Sequence, residues 1–123
     1  LIAVSERFGR HSRLLTAKDY ARVFENPVRS SDNCFTVLAR KREAGAARLG
    51  LAVSKKNAKL AIERNRIKRL TRESFRVHKS ELEGLDIVVM NRRQTAQQDN
   101  RTLTQSLSRH WQKLARLCED SLS

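Results

Sequence analysis

The stretch RLGLAVSKKNAKLAIERNRIKRLTRESFRVHKSELEGLDIVVMNR, Arg48 to Arg92, decides the fold. Its two ends, RLGLAVSK and LDIVVMNR, have the length and the aliphatic, partly β-branched content of strands. The segment between them contains no Pro, and its only Gly is Gly84. It reads as one long helix from roughly Ala58 to Lys79. From Glu63 to Arg76 this helix holds five arginines and one lysine against two glutamates. Like charges at i,i+4 weaken a helix by about 0.2–0.5 kcal/mol per pair, so something outside the helix must offset them.

The faces of the helix follow from a step of about 100° per residue, with Ile67 at 0°. Leu60, Leu70, Thr71, Ser74 and Phe75 fall on the Ile67 side, which is expected to face the sheet. Asn65, Lys68, Arg69, Arg72 and Arg76 share one stripe on another side, with Glu63 and Glu73 projecting outside it. Charges placed only for solubility are more often interleaved with acids. The stripe combines guanidinium forks, an ammonium point charge and one amide, a set suited to phosphate oxygens. Lys55, Lys56 and Lys59 extend the positive field ahead of the helix, and Arg64 and Arg66 lie on its flanks.

Outward from this unit, LTAKDYARVFEN reads as a short helix ending before Pro27. Thr16 is its N-cap and Asp19 completes a capping box. After the polar turn SDNC, the run CFTVLAR reads as a strand, and the loop KREAGAA is expected to join it to RLGLAVSK as a hairpin. In DNRTLTQSLSRHWQKLARLC, Leu103, Leu107, Trp111, Leu114 and Cys118 recur at helical spacing behind Asp99 or Asn100 as cap. The order α-β-β-α-β-α describes one domain over residues 1–123, an α/β (α+β) two-layer sandwich with helices on a small mixed sheet.

Composition agrees with the stripe. The 26 Lys and Arg against 13 Asp and Glu leave +13 and a pI near 11.0, and a domain with that imbalance is expected to bind a polyanion, nucleic acid first. The longest apolar runs, DIVVM and GLAV, are far too short to cross a bilayer, and LIAV at the N-terminus lacks the length and basic leader of a signal peptide. A cytoplasmic protein is expected. Cys34 and Cys118 have no metal-ligand spacing and read as two free thiols.

These residues resemble a known family. RNRIKRLTRE, preceded by GLAVSKK and followed by DIVVM, is similar to the RNR signature of the protein component of bacterial ribonuclease P. Phe8, Arg10, Arg13, Leu14, Tyr20, Val23 and Phe24 agree with its N-terminal pattern. The resemblance runs from about Phe8 to Trp111. It implies an α/β sandwich with a left-handed βαβ crossover, against the usual hand. It further implies that the RNR helix binds the catalytic RNA subunit through Arg64, Asn65, Arg66, Lys68, Arg69 and Arg72, with Arg76, Lys55 and Lys56 adding to that surface. A cleft between the first helix and the sheet would hold the 5′ leader of precursor tRNA, with Tyr20, Phe24 and Phe35 as stacking faces. Phe24 and Phe35 equally fit a core role. The implied partners are the catalytic RNA and precursor tRNA, with no membrane and no obligate protein partner. The implied cofactor is Mg²⁺, held mainly by the RNA, which carries the hydrolysis.

Catalysis by the protein itself would need a paired acid and base or a carboxylate cluster. His11, His78 and His110 read as packing or surface residues. Glu81, Glu83 and Asp86 in SELEGLD read as a solvated loop without a dedicated ligand set. Two other readings remain at this point: a ribosomal or ribosome-assembly protein, which would show no preference for a 5′ leader, and a DNA-binding module, which lacks an accompanying helix-turn-helix, zinc or dimerisation pattern.

Overall fold

The structure, a computed structural model, describes residues 13, 16–42 and 45–120. Phe8, Arg10, His11 and Leu14 lie outside the described residues. The elements are α1 (Ala17–Glu25), β1 (Val28–Ser31), β2 (Phe35–Lys41), β3 (Arg48–Ala52), α2 (Ala61–His78), β4 (Leu85–Asn91) and α3 (Asn100–Asp120). A 3₁₀ turn, Lys79–Leu82, prolongs α2, and another, Thr95–Gln97, precedes α3.

The helix starts follow the predicted chemistry. Thr16 Oγ1 accepts from the Asp19 N–H at 3.1 Å, and the Asp19 carboxylate accepts from the Thr16 N–H at 3.2 Å, closing the capping box. Asp99 Oδ1 caps α3 by accepting from the Thr102 N–H at 2.8 Å. Between α2 and β4, Gly84 turns the chain at φ +80°, a left-handed conformation that favours glycine. Its N–H donates to Gly45 O at 2.8 Å, and its carbonyl accepts from the Arg42 N–H at 2.7 Å.

Two expectations about the sheet are corrected. The segment VRSS is a strand, β1, paired antiparallel with β2. With two serines in four residues it has little intrinsic strand signal, and pairing with a neighbour makes it one. Nor do β2 and β3 form a hairpin: the sheet order is β1-β2-β4-β3, with β4 antiparallel to β2 and parallel to β3. The continuous apolar run Ile87-Val88-Val89 is buried on both faces, and such a run belongs at the centre of a sheet.

Alternation along the strands sorts two cores. Phe35, Val37 and Ala39 from β2 and Leu85, Ile87 and Val89 from β4 join Ile67 and Phe75 of α2 and Leu103, Leu107, Trp111 and Leu114 of α3 in the main core. Trp111 meets Phe75 edge to face, with centroids 6.0 Å apart, and its indole N–H donates to Ser74 Oγ at 2.8 Å. Leu38 and Val88 point to the opposite face, where Val23 of α1 covers them together with Tyr20, Ala52 and Met90. The sandwich of sheet against α2 and α3 thus carries a short helix laid over its second face, which the described residues cover only in part.

Candidate RNA interface

On α2 the predicted inner side is buried at Ile67, Thr71, Ser74 and Phe75. Thr71 satisfies its hydroxyl by donating to Ile67 O at 2.8 Å. Leu60 departs from the expectation: it stands at the N-cap, ahead of the first helical turn, and is 59% exposed. Asn65, Arg69 and Arg72 are exposed, and Lys68 is half-buried. Arg76 is turned onto Glu73, with Nε 3.1 Å and Nη2 2.5 Å from the carboxylate oxygens. That fork is also the main reason the Glu73 carboxyl is held below its ordinary range. Arg76 therefore brings less unbalanced charge to the stripe than its position on the helix suggests.

The two arginines of the RNR triplet lean inward. Arg64 Nη1 donates to Ala58 O and Lys59 O at 2.9 and 2.8 Å, clasping the chain where it enters α2. Arg66 donates to Ala96 O, Gln98 O and Asn100 Oδ1 at 2.8–3.1 Å, tying α2 to the connection between β4 and α3. A helical wheel shows where these side chains start but not which carbonyls they reach. Lys55 and Lys56 are exposed on the turn before α2. Beside them, a depression of about 600 Å³ is lined by Lys56, Asn57, Lys59, Leu60, Glu63 and Arg93, among others. Arg93, which the sequence reading passed over, thereby joins the lysines from the far side of β4.

The face under α1 is built differently. Tyr20 is half-buried, and its hydroxyl accepts from the Leu51 N–H of β3 at 3.2 Å. Phe24 is 45% exposed. Phe35 is a correction: it is fully buried in the main core on the opposite side of the sheet from Tyr20. The period of two along β2 sends residues 35, 37 and 39 to one face and residues 36, 38 and 40 to the other, so Phe35 cannot share a groove with α1. The same alternation along DIVVM assigns Met90 to the α1 side, a signal the sequence carried and the reading did not use.

One end of this face is strongly cationic. Arg40, Asp86 and Arg48 lie abreast across β2, β4 and β3. Asp86 is fully buried, which corrects its reading as part of a solvated loop; Glu81 and Glu83 are indeed exposed. Its carboxylate accepts from Arg48 at 2.8 and 2.7 Å and from Arg22 of α1 at 3.0 Å, and Arg42 Nε lies 2.7 Å away. Arg40 completes the group by donating to Arg22 O at 2.9 Å. Hydrogen bonding to Asp86 is the chief reason Arg48 is pushed above its ordinary range.

The two described histidines, His78 and His110, form no acid–base pair over an open site. His78 Nδ1 sits 2.9 Å from Ser74 O. His110 is buried, with Nδ1 2.6 Å from Ser30 Oγ and Nε2 3.2 Å from Asp32 Oδ1, in an imperfectly aligned contact. Ser106 Oγ donates to Asp32 Oδ2 at 2.6 Å. Burial depresses the His110 pKa, and attraction to Asp32 only partly opposes this. The cluster joins the β1–β2 turn to α3, and Ser30, at 2% exposure, is closed to a substrate. Among the described residues, no three His, Cys, Asp or Glu side chains gather so as to hold a metal ion. Cys34 and Cys118 are buried free thiols, and no described helix is long and apolar enough to cross a membrane.

The family model of ribonuclease P matches residues 8–115. The chain belongs to the ribonuclease P protein family. It is 48% identical over 114 residues to the ribonuclease P protein component of Photorhabdus laumondii, covering 93% of this chain and 96% of the relative. The component from Pectobacterium atrosepticum is 46% identical over 113 residues, with 92% and 95% covered. Among solved structures, the RNase P protein of Staphylococcus aureus superposes with a TM-score of 0.76 at 33% identity over 85% of this chain and 94% of that one. That of Thermotoga maritima gives 0.72 at 32% identity over 85% and 96%. Ribonuclease P proteins are the non-catalytic subunit of a ribonucleoprotein endonuclease, and this chain has that function: it binds the catalytic RNA and the precursor-tRNA 5′ leader for Mg²⁺-dependent cleavage, with Mg²⁺ coordinated by the RNA. The ribosomal and DNA-binding alternatives are thereby set aside.

Proposed function

We propose that the two faces of this ribonuclease P protein divide the substrate and the catalytic RNA between them. Asn65, Lys68, Arg69 and Arg72, with Lys55 and Lys56, dock the catalytic RNA. Arg64 and Arg66 act mainly by holding the helix and its neighbours in place, and Arg76 contributes as a fork shared with Glu73. Tyr20 and Phe24 receive the single-stranded leader on the α1 side. The observation that carries this division is that exposed cations cluster on α2, whereas exposed aromatic surface beside the sheet occurs under α1.

The mechanism is electrostatic and positional. Cations on α2 neutralise phosphates that otherwise require Mg²⁺ for close packing, so the RNA reaches its active fold at lower Mg²⁺. On the second face, aromatic stacking contributes about 1–3 kcal/mol per base without reading sequence, which lengthens the contact with any leader. Arg22, Arg40 and Arg48 provide a positive end to that groove for the leader's phosphates.

The deciding experiment is cleavage of a 5′-labelled precursor tRNA at low Mg²⁺ with the protein alone, the catalytic RNA alone, and both. The division predicts that an Arg69→Ala, Arg72→Ala double variant raises the Mg²⁺ needed for cleavage of every substrate. Tyr20→Ala instead weakens binding of precursor but not mature tRNA. Equal losses from both variants on both tRNAs would sink it.

A further inference from the structure

The parallel ladder between β3 and β4 ends at the pair Ala52 and Met90. One residue further on β4, Asn91 is 6% exposed, and its side chain continues the pairing where the main chain stops. Asn91 Oδ1 accepts from the Ser54 N–H at 2.8 Å, and Nδ2 donates to Ser54 O at 3.2 Å. The amide thereby satisfies both main-chain groups of Ser54, which a neighbouring strand's backbone would otherwise have to do. The main-chain carbonyl of Asn91 then accepts from Asn57 Nδ2 at 3.3 Å.

Between those attachments the chain makes one tight turn. The Asn57 N–H donates to Ser54 Oγ at 3.2 Å, and the Ala58 N–H donates to Ser54 O at 3.2 Å. Lys55 and Lys56 are the two residues at its crest, and Ser54, Lys55 and Lys56 are all exposed. The turn is anchored to the main core at its far end by Ala58, 2% exposed, but its crest buries no apolar side chain, so the core fixes where the turn ends and not how Lys55 and Lys56 are presented. A buried amide spent on an exposed polar turn serves placement: it sets where two long cationic side chains begin, relative to the α2 stripe.

We infer that Asn91 is a positioning residue for docking of the catalytic RNA, acting through Lys55 and Lys56. This inference rests on the docking role proposed above for those lysines. Without the amide clamp the turn samples many conformations, and the lysines must be ordered at the moment of binding, which costs affinity. The phosphate contacts they make are then lost or averaged away.

The test measures binding of the protein to the catalytic RNA as a function of salt, well below the melting temperature. Compared are the wild type, Asn91→Ala, Lys55→Ala/Lys56→Ala, and the triple variant, with Arg69→Ala as an independent background. Each lost contact lowers the log–log salt slope by about 0.7–0.9. Asn91→Ala is expected to lower the slope towards that of the lysine pair, to add nothing in the triple variant, and to be additive with Arg69→Ala. A lowered melting temperature with a wild-type slope, or full additivity with the lysine pair, overturns the inference and leaves Asn91 a fold residue. A wild-type slope in Lys55→Ala/Lys56→Ala marks the separate failure of the docking role and takes the inference with it. Should Asn91→Ala fail to fold, Asn57→Ala loosens the same turn from its other end, and the same slope criteria apply.

Discussion

Replacing Asp86 by Asn keeps shape and removes one charge at the point where three arginines meet. The carboxylate is fully buried and accepts from Arg48 and Arg22 at 2.7–3.0 Å, with Arg42 Nε at 2.7 Å. Removing one partner of a buried ion pair costs about 3–5 kcal/mol, because the remaining charge is left uncompensated. Here the arginine side chains retain 38%, 21% and 27% of their exposure, so water recovers part of the loss. Asp86→Asn should therefore sit at the low end, at about 3 kcal/mol. For a chain of this size, about 4 °C per kcal/mol converts this to a drop in Tm of about 12 °C. The assay is thermal and urea unfolding of the free protein at fixed ionic strength, with Glu83→Gln as an exposed neighbouring control expected to stay within about 0.5 kcal/mol of wild type. A loss below about 1 kcal/mol would show that the arginines reach solvent without the carboxylate, and the argument for a buried hub would be wrong.

Three further outcomes follow from the same geometry. Tyr20→Phe keeps the ring but removes the acceptor for the Leu51 N–H; unfolding should show a loss of about 1 kcal/mol, with leader affinity nearly retained, whereas Tyr20→Ala should also lose about 1–3 kcal/mol of precursor-tRNA binding. Arg69→Ala should lower the salt slope of catalytic-RNA binding by about 0.7–0.9, and an unchanged slope removes Arg69 from the interface. Acid should destabilise the free protein in two windows. Burial keeps the His110 pKa below its ordinary 6.5, so its contribution is complete above pH 6.5 and falls as pH drops towards the folded-state pKa. For Asp32, burial raises the pKa, but hydrogen bonds from Ser106, Phe35 and Cys34 and the His110 charge together outweigh it and hold the carboxyl at about 2. Its contribution is complete above the ordinary carboxyl range and is lost between about pH 4 and pH 2. Melting curves across pH should show both windows; His110→Gln should abolish the upper one and, by removing the His110 charge that helps to hold Asp32 low, narrow the lower one.

What could be read in the sequence was whatever depends on near neighbours. Thr16 and Asp19 announced α1 because a capping box is complete within four residues, and Ile67, Thr71 and Phe75 announced the inner side of α2 through helical period alone. What failed depended on partners far along the chain. VRSS is a strand because β2 lies beside it, and the expected hairpin broke because β4, more than thirty residues after β3, inserts next to β2. Phe35 stood open between the leader cleft and the core because its aromatic type fits both, and only its register in β2 decides for the core. Asp86 looked like one of three loop acids; only the strand pairing that sets it between Arg40 and Arg48 shows that it is a core charge. The stripe itself was legible as positions, but the inward turns of Arg64 and Arg66 were not, since their acceptors lie on backbone outside the helix.

The position of β4 also bears on how the protein is born. Among the described strands it is the last in chain order, yet it lies inside the sheet and is the one that pairs with β3, which otherwise has only a single bridge from Leu49 to Arg13. Until it emerges, β1 and β2 are the only described strands that can pair with each other, and the β3–β4 ladder must wait for a distant segment. A chain cut short before Leu85 would carry all of α2 with no scaffold to aim it, exposing cations and apolar residues together to proteases. Closure of the sheet by β4 and correct aiming of α2 therefore arrive together.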